Sequence, residues 1–121
     1  MRVNYGATWK TRLGLITLSD DRATSYIQVN SLVRMREVPD YITNITIAHE
    51  LVHYAHGFGS PLPRRYKHPH RGGVVKRELL RRGLAAEYAR YDEWVYERWY
   101  DFYAEHAAGQ RGVGELWALV P

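Results

Sequence analysis

The sequence contains no cysteine. That absence excludes a disulfide framework, a thiolate metal site and a cysteine nucleophile. No run approaches the ~20 consecutive apolar residues of a membrane span. The first ten residues lack a charged segment leading into an apolar one, so no secretory leader is read and the expected setting is cytoplasmic, with no membrane. Internal repeats and low-complexity stretches are missing as well. What remains is an ordinary globular composition, 45% hydrophobic and 25% charged over 121 residues, which suits one domain spanning 1–121. Basic residues exceed acidic ones by only 17 to 13, a net charge of +4. This allows an anionic partner without requiring one.

The first third reads as strands. Residues 8–18 carry Trp9, Leu13, Leu15, Ile16 and Leu18, and residues 24–29 carry Tyr26, Ile27 and Val29. The polar Ser19-Asp20-Asp21-Arg22 between them predicts a hairpin or an adjacent antiparallel pair. Residues 31–36 predict a short helical turn stopped by Pro39. A helix comes next, with Asp40 as its cap and Tyr41, Ile45, Ala48, Val52 and Ala55 on one face, ended by Gly57. Residues 57–63, with two Gly and two Pro, must be loop. Residues 64–82 are basic: Arg64, Arg65, Lys67, Arg71, Lys76, Arg77, Arg81 and Arg82 stand against Glu78 alone. From about Gly73 to Gly83 a helix is expected, with Val74, Leu79 and Leu80 apolar. A long acidic, Tyr- and Trp-rich helix over 84–108 should come after it, its stripe being Leu84, Tyr88, Tyr91, Val95 and Phe102. The opposite charges of these two helices suggest electrostatic pairing, and residues 109–121 read as a loose tail.

Chemistry concentrates in His49-Glu50-Leu51-Val52-His53. Residues four apart on a helix stand about 40° apart around its axis, so His49 and His53 can share one ion. Glu50 lies close enough to reach water on that ion without being a ligand. Bound Zn²⁺ lowers the pKa of its water towards ~7, and Glu50 can take that proton and pass it to a leaving amine. A third protein ligand is required. Gly and His at 56 and 59 would complete a metzincin pattern, but these positions hold His56 and Gly59. His56 stands about 10 Å from His49 along the helix axis, so it is expected as a supporting or surface residue. His68, His70, Glu78 and Glu87 stay open as the third ligand. Tyr54 and Tyr66 lie near enough to stabilise an oxyanion.

Leu13-Gly14-Leu15, Ile27-Gln28-Val29-Asn30 with Leu32, and Ile47-Ala48-His49-Glu50-Leu51-Val52-His53 resemble the SprT-like zinc metallopeptidases. So does the stretch beyond His53: a histidine, a glycine-containing link and a helix ending Arg81-Arg82-Gly83-Leu84. The resemblance covers about residues 12–84, and only the H-E-x-x-H part is specific. It departs from the family in starting almost at the first strand, in Val74 where an aromatic is usual, and in lacking any Cys-rich zinc module. It implies His70 as the third ligand, because Val74 stands four residues later. A second resemblance, to very small gluzincin proenzymes, makes Glu87 the ligand instead.

The expectation is therefore an α+β, zincin-like fold: a small antiparallel sheet packed on the H-E-x-x-H helix, with two C-terminal helices. His49, His53 and His70 would hold Zn²⁺ and Glu50 would be the general base of a metalloendopeptidase acting on a protein or peptide. The strand over 24–30 would be the edge that binds extended substrate. Residues 64–82 allow weak nucleic-acid binding. The alternatives are a zincin-fold metal- or DNA-binding module without protease activity, a minimal gluzincin with Glu as third ligand, and a latent enzyme whose tail blocks the cleft.

Overall fold

The computed structural model describes residues 1–107. The expectations for residues 109–121, a loose tail or a plug for the cleft, lie outside the described residues. Three strands and three helices make an α+β fold: β1 (Arg2–Tyr5), β2 (Gly14–Leu18), β3 (Ser25–Val29), α1 (Asp40–Ala55), α2 (Val74–Arg81) and α3 (Ala85–Trp94). No helix among the described residues is long and apolar enough to cross a membrane.

The sheet has the order β1-β3-β2 and is mixed rather than antiparallel. β2 and β3 form the expected hairpin, with Ile16 opposite Ile27. Asp21 Oδ1 accepts from Ser19 Oγ at 2.6 Å and from the Ala23 amide at 3.0 Å, while Arg22 takes the left-handed conformation at φ 61°. β1 is the unexpected strand and runs parallel to β3, Val3 beside Ile27. All four of its side chains are exposed. Alternation by burial, the signal that reveals a strand in sequence, is therefore missing. Its arrival makes β3 the central strand, so the strand expected at the edge is interior and β2 holds the edge instead.

Residues 6–13 connect β1 to β2, where the sequence suggested that strand began at residue 8. This connection is clamped by Asn30, which is fully buried. Asn30 Nδ2 donates to the carbonyls of Trp9 at 2.7 Å and Arg12 at 2.9 Å, and its Oδ1 accepts from the Leu32 amide at 3.0 Å. Trp99 pins the same segment, donating from Nε1 to the Lys10 carbonyl at 2.7 Å.

In α1, Asp40 is the first helical residue rather than the cap: Pro39 holds that position and no side chain caps the amides. The Asp40 carboxylate still sits in the first turn, where the helix dipole favours it. The buried residues are Ile42, Ile45, Thr46, Glu50, Val52 and His53, a wider arc than the expected stripe, and Ala55 is exposed. One side of α1 faces a core built on Leu13, Val29, Leu32, Ile42, Trp99 and Phe102. Its Val52 packs with Val74, Val75 and Leu79 of α2. Leu80, the third apolar residue expected on this helix, is 40% exposed.

The helix after α2 continues through a π-turn at Val95–Trp99 into residues 100–107. A π-turn inserts one residue per turn relative to the α-helix. That places Trp99, Phe102, Tyr103 and Ala107 in the core while Tyr96 is 89% exposed. No ion pair joins α2 to α3 among the described residues: Arg81 and Arg82 both pair with Glu78 inside α2. The two helices meet instead through Leu79, Leu84 and Tyr88, with Lys76 Nζ 5.7 Å from the Tyr88 ring centre. The expected electrostatic pairing is thus replaced by apolar packing, because these charges reach solvent and are worth little there.

Candidate metal centre

α1 presents His49 and His53 one turn apart, and the loop before α2 brings His70 to them. That return depends on Gly72 and Gly73, whose φ values of 73° and 67° lie in the left-handed region that other residues rarely occupy. Val74 then lands in the core against Val52. The three Nε2 atoms form a nearly equilateral triangle: 3.0 Å between His49 and His53, 2.9 Å between His53 and His70, and 3.1 Å between His49 and His70.

The donor set fits a metal ion. Imidazole nitrogens bound tetrahedrally to one zinc at ~2.0–2.1 Å stand roughly 3.3 Å apart, within a few tenths of an ångström of these distances. Each neutral ring offers at most one N–H, so three Nε2 atoms converging on one point cannot all satisfy each other. A shared cation satisfies all three lone pairs. Burial pushes His49 down to about 4, helped by His70, and pushes His53 down to about 3, helped by His49, His70 and His56. Both rings are therefore neutral at pH 7, as ligands must be. His53 Nδ1, which carries the proton when Nε2 is a ligand, is buried with no acceptor among the described residues.

None of the three rival third ligands joins the cluster: among the described residues His68 and Glu87 are exposed and stand outside it, and Glu78 pairs with Arg81 and Arg82. His56 also stays out. It is buried to 2% exposure rather than superficial, its ring packed edge-on to Tyr66 at 4.9 Å. Tyr66 is thereby occupied, and neither it nor Tyr54 lines the site.

The histidines open onto a cleft of about 540 Å³, lined by residues 11–17, Thr46, Glu50, Phe58, Pro69 and Tyr91. Glu50 is buried, and burial pushes its carboxyl up to about 7, against the opposing pull of Arg12. The close approach of β2 to α1 depends on Gly14. A Cβ there would stand 2.6 Å from the Thr46 methyl and 3.5 Å from Glu50 Cγ. Phe58 stands edge-on to His53, ring centres 6.3 Å apart, and the Arg64 guanidinium lies over the Phe58 ring, 5.0 Å from its centre. Sequence reasoning did not assign Arg12, Thr46, Phe58 or Tyr91 to the site. Only Gly14, inside Leu13-Gly14-Leu15, carried a local signal.

No protein-family model, no curated protein and no solved structure matches the chain.

Proposed function

We propose that the chain is a zinc-dependent metalloendopeptidase with a zincin-like fold, the activity the SprT-like resemblance implies. One observation carries this reading: three histidine Nε2 atoms lie within 3.1 Å of one another in the cleft that also holds the buried Glu50 carboxyl. His49, His53 and His70 would hold the ion. When bound, zinc supplies a Lewis acid that polarises a carbonyl and brings the pKa of water to about 7. Glu50 takes the proton of the attacking water and returns it to the departing amine. Extended substrate lies along β2, an edge strand among the described residues whose residues 14–17 line the cleft.

The reading as a nucleic-acid module draws less support from the basic run. Arg64 lies over Phe58, Arg65 over Tyr66 and Lys76 over Tyr88, while Arg77 donates to the Gly72 carbonyl and Arg81 and Arg82 pair with Glu78. All eight cations of this run are exposed, and six of them also touch a group of the fold.

The test compares zinc-loaded wild type with Glu50→Gln on a peptide library. Glu50→Gln keeps about one zinc per chain and loses at least ~100-fold in cleavage. Equal cleavage by both proteins overturns the assignment.

A further inference from the structure

We propose that the Tyr91 hydroxyl donates a hydrogen bond to the peptide carbonyl oxygen held in this cleft, a bond that strengthens as negative charge gathers there. The inference rests on the hydrolase reading above. Hydrolysis of an amide puts a full charge on that oxygen in the tetrahedral state, and a fixed donor in a dry site stabilises it more than water does. Apart from the imidazoles, the side-chain donors lining the cleft are Thr11, Arg12, Thr17, Thr46 and Tyr91. Thr46 Oγ1 is sealed from solvent beside the Tyr91 side chain, so it cannot reach a ligand. Thr11, Arg12 and Thr17 are exposed to solvent.

Tyr91 differs from these in being anchored. It stands on α3, packed against the core that holds Leu13 and Ile42, with the Tyr88 ring 6.0 Å away. Its ring therefore loses little entropy when the hydroxyl meets a ligand. Burial pushes its hydroxyl up to about 12, with Thr46 pulling the other way and Tyr88, Glu50 and Asp92 adding smaller upward pushes. The group keeps its proton and acts as a donor at any working pH. It also arrives on a different element from the base, so Glu50 and Tyr91 can address the water and the carbonyl oxygen separately.

Tyr91→Phe keeps the ring and removes the hydroxyl, and Tyr88→Phe serves as control. Zinc-loaded proteins are compared in kcat and KM on library-selected peptide, and by calorimetry on a phosphinic tetrapeptide and its ordinary amide counterpart. In Tyr91→Phe we expect kcat to fall about 100-fold with KM held within about twofold. Affinity for the phosphinic peptide falls by a similar factor and that for the amide does not. Zinc content and melting temperature stay at wild-type values, and Tyr88→Phe matches wild type throughout. Wild-type kcat and phosphinic affinity in Tyr91→Phe overturn the inference and leave the hydrolase reading intact. So does a loss explained by lower zinc content or melting temperature. A wild type that neither cleaves peptide nor prefers the phosphinic form overturns both.

Discussion

His49 and His53 come from one helical turn, whereas His70 stands 17 residues beyond His53 and reaches it only through a chain reversal. Removing any of the three leaves two imidazoles, too few for a closed three-ligand set. Metal titration should show His49→Ala, His53→Ala and His70→Ala weakened by several orders of magnitude. His68→Ala and Glu87→Ala should stay within about tenfold. Equal losses at His68 or Glu87 would sink the assignment of His70. The same residues set an acid limit on the metal-free protein. His49 and His53 have folded pKa values of about 4 and 3, below the ordinary 6.5. The unfolded chain therefore binds more protons, and their contribution to stability is lost as pH falls from 6.5 towards 3. Glu50 has the opposite sign: its folded value of about 7 lies above 4.5, so stability is lost as pH rises between those values. Denaturant titration of metal-free Glu50→Gln should show it more stable than wild type at about pH 8, by up to ~3 kcal/mol. The difference should vanish below pH 4.5.

At the scale of elements, the connection between β1 and β2 decides whether the cleft has a wall. Asn30 holds two of its carbonyls with one amide nitrogen. Asn30→Asp replaces that donor by an acceptor facing both oxygens, leaving buried groups unpaired at about 1–3 kcal/mol each. Calorimetry should show a melting temperature lower by about 10 °C or more. An unchanged transition would mean the connection is held by Trp99 alone. The hairpin turn was legible in sequence, and the helix faces in part, because both depend on neighbours a few residues away. β1 was not: a four-residue strand exposed on both faces has no hydrophobic pattern, only backbone pairing. The π-turn in 95–99 was equally hidden, since the apolar residues before and after it look like one stripe drifting by a residue.

Across the whole molecule, a net charge of +4 offers an anion only a modest attraction. Of the eight cations between residues 64 and 82, six are engaged within the fold. Single-stranded DNA binding should therefore appear at low salt only. Tight binding that persists at physiological salt in a fluorescence titration would overturn this expectation. The sequence by itself determined the α+β class, the helix that carries His49 and His53, their closeness and the position of Glu50 beside them, because each rests on spacing within a turn or two. His70 became legible only with the family resemblance, since no local period links a loop histidine to a helix. Tertiary structure alone decided that β3 lies inside the sheet and β2 at its edge. It also decided that Tyr91 turns from a helix stripe into the cleft and that Glu50 is buried beside Arg12. Those outcomes depend on which surfaces meet across the fold, and burial and strand order are properties of that meeting rather than of any segment.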